Sequence, residues 1–405
     1  ANVVTVHQSA QVPTFFAGLI GVHNLTVAAT AAAAARGAGA QSWNIAVVLD
    51  TTGSMSSSDN GCGTVPGVSG TPSRLQCALY GVQILLNNLN PCPTSFSSCS
   101  STAQTSERVS LWTFPNMVTT TVVNDTNCSS ANPTTQPYTF PSSSPSASNF
   151  SNGTYITGGK TYSITYAVST TDSTGATPSY LTDYRTSDTS SSLTTSSALS
   201  KAIGAGGSSC SSVTNPGGES TYYAGALYAA QASLLKQQAT LKAAGQTSQN
   251  AIILLSDGDA EAGKSNMVNA STQTCSTCLV ATSNGTYPSW VDECGQAIQA
   301  AQSISGQGTR VYTIAYGAES SGCNTDTSGS YANITPCTAM RDMSSSHWAN
   351  PSSDQFFYAD TNQSGSGIDK TCASAANSST NLQSIFLAIG NDLQNARLIP
   401  LSLVN

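Results

Sequence analysis

The sequence predicts an α/β protein: a doubly wound, mostly parallel sheet flanked by helices, with a β-rich insertion and a small N-terminal α+β unit. Three observations carry this. The runs Ile45–Leu49, Ala251–Leu255 and Val311–Tyr316 are continuously β-branched or aliphatic, as strands buried on both faces are. Amphipathic helix patterns lie between them. Strand and helix then alternate along the chain, which is the signature of a layered sandwich.

Taken in order, residues 1–40 form the leading unit. Val3, Val4 and Val6 alternate, Phe15–Val22 is a short apolar segment, and Leu25–Ala35 ends in an alanine run that suits strand or helix equally. After Gly37-Ala38-Gly39 the α/β rhythm begins. Its predicted strands are Ile45–Asp50, Arg108–Phe114, Ala251–Asp257, Val311–Gly317 and Gln355–Ala359. Its predicted helices are Leu75–Leu89, Tyr222–Leu241, Gly295–Ser305 and Leu382–Gln394, the first with Leu75, Leu79, Val82, Leu85, Leu86 and Leu89 on one stripe. The α/β domain thus spans 41–114 and 197–395, interrupted by a Ser/Thr/Pro-rich insertion at 115–196 with an alternating strand at Tyr162–Val168. Loops from about 260 to 293 and from 318 to 337 are long for a compact domain. Residues 396–405 form an apolar, extended tail in which Pro400 disfavours helix. It reads either as a strand added to a neighbour's sheet or as an edge strand on its own domain.

Charged residues make up 8% of the 405, and the formal net charge is −7 with no basic run. Nucleic-acid binding is not expected on that ground, because phosphate neutralisation needs clustered Lys and Arg. Twelve cysteines in polar stretches imply a disulfide framework and an oxidising, extracellular or cell-surface location. The competing reading is zinc at Cys275, Cys278 and Cys294, with only His7, His23 and His347 to assist. Ten Asn-x-Ser/Thr sites make glycosylation an option. The Phe15–Val22 segment falls short of the ~20 residues a spanning helix needs. The expectation is therefore no membrane span in this chain, and an export or anchor segment upstream of Ala1.

The run Val47-Val48-Leu49-Asp50-Thr51-Thr52-Gly53-Ser54 ends an apolar strand in a carboxylate, with hydroxyls two and four positions on. Such oxygens form a partial shell for a hard divalent cation, Mg²⁺ first, with Ca²⁺ or Mn²⁺ as alternatives. Asp257, in Leu254-Leu255-Ser256-Asp257-Gly258, closes a second predicted strand. Thr221, in Gly218-Glu219-Ser220-Thr221-Tyr222-Tyr223-Ala224, stands at the mouth of the longest helix, where it could equally serve as an N-cap. Ligands of open α/β sheets collect outside such strand ends.

On these residues the chain resembles a von Willebrand factor A domain with a metal-ion-dependent adhesion site. The resemblance assigns metal ligation to Asp50, Thr52, Ser54, Thr221 and Asp257, with Thr52 replacing the usual serine. It implies a Rossmann-like sheet and an open coordination position filled by a carboxylate from a protein partner or a neighbouring subunit. No Gly-x-Ser-x-Gly elbow or HExxH accompanies the cluster, and His347 reads as a surface or packing residue, so enzyme activity is not expected. Val12-Pro13-Thr14-Phe15-Phe16, Asp183-Tyr184-Arg185 and Gly218–Ala224 add a resemblance to bacterial Tad/Flp pilus-assembly proteins of the TadE/TadG-like type. That family implies a metal-dependent adhesion module. The alternative function is a structural subunit that polymerises into an extracellular filament, a homopolymer.

Overall fold

The computed structural model describes residues 3–13, 21, 24–34, 42–91, 107–114, 134–137, 156–157, 160–161, 163–166, 180–188, 190–206, 212–213, 221–261, 292–363, 367–394 and 397–399. Most of the Phe15–Val22 segment, most of the insertion, residues 262–291 with Cys275 and Cys278, and residues 400–405 lie outside them.

In chain order the strands are β1 (Val3–Pro13), β2 (Asn24–Ala34), β3 (Ser42–Leu49), β4 (Arg108–Thr113), β5 (Thr134–Pro137), β6 (Ile156–Thr157), β7 (Lys160–Thr161), β8 (Ser163–Tyr166), β9 (Ser248–Ser256), β10 (Arg310–Tyr316), β11 (Phe357–Asp360) and β12 (Arg397–Ile399). The helices are α1 (Arg74–Asn88), α2 (Ala198–Ala202), α3 (Tyr223–Ala243), α4 (Glu293–Gly306), α5 (Pro336–Met343), α6 (Ser345–Ala349) and α7 (Leu382–Gln394). They divide into two units, Ser42–Gly390 and Ala1–Gln41 with Asn391–Asn405.

The larger unit is built on a five-stranded sheet of order β11-β10-β9-β3-β4, parallel throughout. All five strands fall where hydrophobic continuity predicts them. The reason is burial: every residue of β3 and β4 is buried, so no solvent face imposes an alternating pattern. From β3 the chain passes through α1 to β4 on one side, then returns to the other side of β3 for β9, β10 and β11. Strand order therefore reverses between β3 and β9, whose carboxyl ends form the crevice that doubly wound sheets offer to ligands.

The strands stop one residue short of the predicted Asp50, Phe114, Asp257 and Gly317. At Asp50 the cause is local. Its carboxylate accepts a hydrogen bond from the Thr52 amide at 2.8 Å, turning the chain out of the ladder. The short α2, α5 and α6 are additions to the predicted set. Helix α5 carries a recognisable start, with the Thr335 hydroxyl accepting from the Thr338 amide and Pro336 in its first turn.

The open edge of β4 is covered by the exit of the insertion. Val109 and Leu181 exchange backbone hydrogen bonds of 3.0 and 2.8 Å, and the buried Tyr184 donates to the Glu107 carbonyl. Arg185 donates to the Leu89 carbonyl just past α1, satisfying a helix-end acceptor. Within the insertion β5 pairs with β8 and β6 with β7, both antiparallel. The predicted strand Tyr162–Val168 is represented by Ser163–Tyr166.

The smaller unit is an antiparallel sheet of order β1-β2-β12. The alanine run resolves as strand: Val3 pairs with Ala34 and Pro13 with Asn24 in unbroken register. The tail returns to its own chain, with Arg397–Ile399 pairing with Ala34–Ala32 of β2. Val6 and Val12 of β1 and Leu25 and Val27 of β2 share one face, each roughly half exposed, while His7, Ser9, Gln11, Thr26 and Thr30 share the other. Among the described residues no helix is long and apolar enough to cross a membrane.

Among the described residues, three disulfides staple the larger unit: Cys62–Cys77, Cys294–Cys323 and Cys337–Cys372. Cys294 is thereby withdrawn from the zinc alternative. The sequons at Asn24, Asn333 and Asn362 are exposed, but Asn377 commits its amide to the Asp354, Gln355 and Phe357 carbonyls.

Helices α1 and α7 touch at Gly81, where a Cβ would stand 2.2 Å from the Phe386 ring. Alanine in mid-helix ordinarily gains up to ~1 kcal/mol over glycine. Here overpacking reverses the sign, and Gly81→Ala should destabilise the protein by ~1–3 kcal/mol in chemical denaturation. A second change, Phe386→Leu, should recover part of that loss.

Candidate metal centre

Leu49 of β3 lies beside Leu255 of β9, and the Asp50 amide donates to the Leu255 carbonyl at 3.0 Å. This register sets Asp50 against Ser256, whose hydroxyl donates to Asp50 Oδ2 at 2.5 Å. The other oxygen, Oδ1, accepts from both the amide and the hydroxyl of Thr52, at 2.8 and 2.5 Å. A single 3₁₀ turn, Gly53–Ser56, follows, anchored by the fully buried Met55. That turn aims the Ser54 hydroxyl at Asp257 Oδ1, 2.7 Å away.

Thr221 comes from a third segment. Helix α3 starts at Tyr223 with Tyr222 as its N-cap residue, so Thr221 lies one position before the cap. Its hydroxyl stands 3.3 Å from Thr52 Oγ1, which is also 3.4 Å from Ser54 Oγ. Two buried tyrosines hold this end of α3. Tyr222 donates to Gln296 Oε1 at 2.7 Å, and Tyr223 donates to the Gly258 carbonyl. The Thr221 carbonyl accepts from the Glu261 amide, tying the loop after β9 to the entry of α3.

All five predicted residues therefore meet in one cluster. Asp50 and Asp257 are fully buried, Thr52 and Thr221 nearly so, and Ser54 is half-buried. Burial and the neighbouring Asp257 push the Asp50 carboxyl up to about 7. Asp257 is also raised by burial, against the opposing pull of Arg74. Arg74, in the first turn of α1, donates to Asp257 Oδ2 as a buried salt bridge.

The donor set consists of two carboxylates and three hydroxyls, all hard oxygens converging from strand ends and a helix entry. Such a set fits Mg²⁺, Mn²⁺ or Ca²⁺ and does not suit a thiophilic metal. The one guanidinium pairs with Asp257 and leaves Asp50 without a cation, so the ionised cluster carries an uncompensated negative charge in a buried place, which a dication would offset. The residues fit the implied ion: Asp50, Thr52, Ser54, Thr221 and Asp257 would hold it. Among the described residues, the two other groupings that could bind a metal, Asp59 with Cys62 and Cys77 and Asp326 with Cys294 and Cys323, each have their sulfurs in a disulfide.

Sequence reasoning missed Arg74 and the bonding role of Ser256. Ser256 could have been found from its place directly before Asp257. Arg74 gives no local signal beyond following the Ser73 cap, because its partner is 183 positions away. His347 lies elsewhere: it follows Ser345, whose hydroxyl accepts from the Val311 amide at the amino end of β10, and it pairs with Asp342.

Cation-free protein should lose stability as pH rises. Asp50 at about 7, Asp360 at about 7 and Asp259 at about 6 all lie above the carboxylate reference, each raised first by burial. The folded state then holds more protons than the unfolded state between pH ~4 and ~7, so its stability falls across that window. Thermal midpoints in EDTA should decline from pH 5 to pH 8, and Mg²⁺ should narrow the difference by taking the proton's place.

No family model matches the chain, and no curated protein matches it. Solved structures similar to it include the pilus adhesin SpaC from Lactobacillus rhamnosus GG, at 13% identity and a TM-score of 0.37 over 91% of this chain. The pilus adhesin RrgA from Streptococcus pneumoniae is similar at 11% identity and a TM-score of 0.39 over 98%. The human COPII-coat protein Sec24c is similar at 13% identity and a TM-score of 0.26 over 68%. This chain spans 32% of SpaC, 48% of RrgA and 26% of Sec24c. The functional reading rests on the geometry of the centre itself.

Proposed function

We propose that the chain is a cell-surface or extracellular binding module that grips a carboxylate of a protein partner, or of a neighbouring subunit, through a divalent cation. Asp50, Thr52, Ser54, Thr221 and Asp257 hold the ion, with Mg²⁺ the first candidate. One observation carries the reading: side chains from three segments far apart in sequence converge as hard oxygens at the point where strand order reverses. The resemblance to von Willebrand A modules rests on the same residues, that to the Tad pilus-assembly type on Val12–Phe16, Asp183–Arg185 and Gly218–Ala224, and disulfides suit an exported protein.

Binding is favoured over catalysis because hydrolysis would require a base within reach of the cation. His347 is the histidine that sequence reading weighed for that task, and it stands at the amino end of β10. A second reading, a subunit that polymerises into a filament, is favoured by the exposed apolar face of the smaller unit.

Titration calorimetry with MgCl₂ tests the first reading. Wild-type protein should bind one equivalent and gain thermal stability, whereas Asp50→Ala should lose both responses while keeping its far-ultraviolet circular dichroism. Absence of any response to Mg²⁺, Mn²⁺ or Ca²⁺ in the wild type would overturn it. For the second reading, electron microscopy of concentrated protein should reveal filaments, and a monodisperse monomer at high concentration would count against them.

A further inference from the structure

We propose that Arg74 is a built-in counter-cation of the centre: it lowers affinity for the metal and keeps the loaded site positive enough to draw in a carboxylate. The inference rests on the cation reading of Asp50 and Asp257 and goes beyond it by assigning a role to a residue that is not a ligand.

Three features hold Arg74 in place. Ser73 and Gln76 form a reciprocal capping box at the start of α1, with bonds of 3.2 and 2.8 Å. The Arg74 amide donates to the Ser57 carbonyl at 2.8 Å, drawing the helix entry back against the Gly53–Ser56 turn. The Cys62–Cys77 disulfide then closes the intervening loop onto α1. The side chain that results is 14% exposed and directed at Asp257, which is fully buried.

The contact is not a typical structural bridge. Arginine frequently engages a carboxylate through two parallel N–H bonds. Here Nη1 donates to Oδ2, while Nε is buried without an acceptor among the described residues. Asp257 Oδ1 accepts the Ser54 hydroxyl. Arg74 thus occupies the face of Asp257 that Ser54 leaves open, as a tethered substitute for an ion.

Charge counting gives the consequence. Two carboxylates and a guanidinium sum to −1, so a dication brings the cluster to +1. Without Arg74 the same loading ends at zero. Like charges on one carboxylate repel strongly where the effective dielectric is ~20, so Arg74 should weaken cation binding by about tenfold or more. The surplus positive charge acts in the opposite sense on an arriving anion.

The test compares wild type, Arg74→Gln and Arg74→Lys. Calorimetry with MgCl₂ should show R74Q binding about tenfold tighter than wild type, with R74K close to wild type. Acetate serves as the carboxylate probe, read on Mn²⁺-loaded protein by water-proton relaxation, and its affinity should fall in R74Q. In EDTA, R74Q should melt below wild type. Should R74Q fail to fold, Arg74→Met keeps the stem and removes the charge, with the same expected results. If no variant and no wild type binds Mg²⁺ or Mn²⁺, the cation reading and this role fall together. If wild type binds but the charge-free variant binds no tighter, or holds acetate as well, the role of Arg74 alone is overturned.

Discussion

The side-by-side pairing of β3 with β9 is the constraint on which the centre depends. These strands are distant in sequence, yet their register brings Leu49 level with Leu255 and puts Asp50 within reach of Ser256. A slip of one residue would turn alternate side chains to the opposite face and separate the oxygens. Strand β3 is buried throughout and β9 from Asn250 onward, so packing enforces the register together with hydrogen bonding. Rigid strands thus support the two carboxylates, while the hydroxyls arrive on short turns anchored by Met55, Tyr222 and Tyr223.

Holding two carboxylates in a buried place is unfavourable, and the surrounding structure offsets it in layers. Asp50 receives three hydrogen bonds, two from Thr52 and one from Ser256. Asp257 receives one hydroxyl and the Arg74 guanidinium. This division explains why burial moves both groups upward while Arg74 restrains Asp257. The centre is therefore asymmetric before any ligand arrives: one carboxylate is held by neutral donors and the other by a charge.

Hydrophobic continuity made the parallel strands legible in the sequence, because burial on both faces removes any competing period. The ligand set was legible because Asp50, Thr52 and Ser54 lie within five positions and Asp257 closes a recognisable strand. Other features were not. A run of alanines carries no amphipathic signal, so Ala31–Ala34 could be resolved only by its pairing with Val3–Val6. Helices α2 and α6 are shorter than the window over which helical periodicity can be read. The role of Arg74 and the partner of β12 escaped for one shared reason: both are tertiary, and a single sequence does not show which distant residue answers which.

The return of Arg397–Ile399 to β2 has a bearing on how the protein is made. Val3–Ala34 is synthesised before Ser42–Gly390, but its sheet lacks a strand until residues 397–399 have been made. The β2 edge that receives them must wait, its backbone groups unpaired, while the whole of Ser42–Gly390 is produced. Contacts of such long sequence separation form late and slowly. During that interval the unpaired β2 edge is open to pairing with another chain.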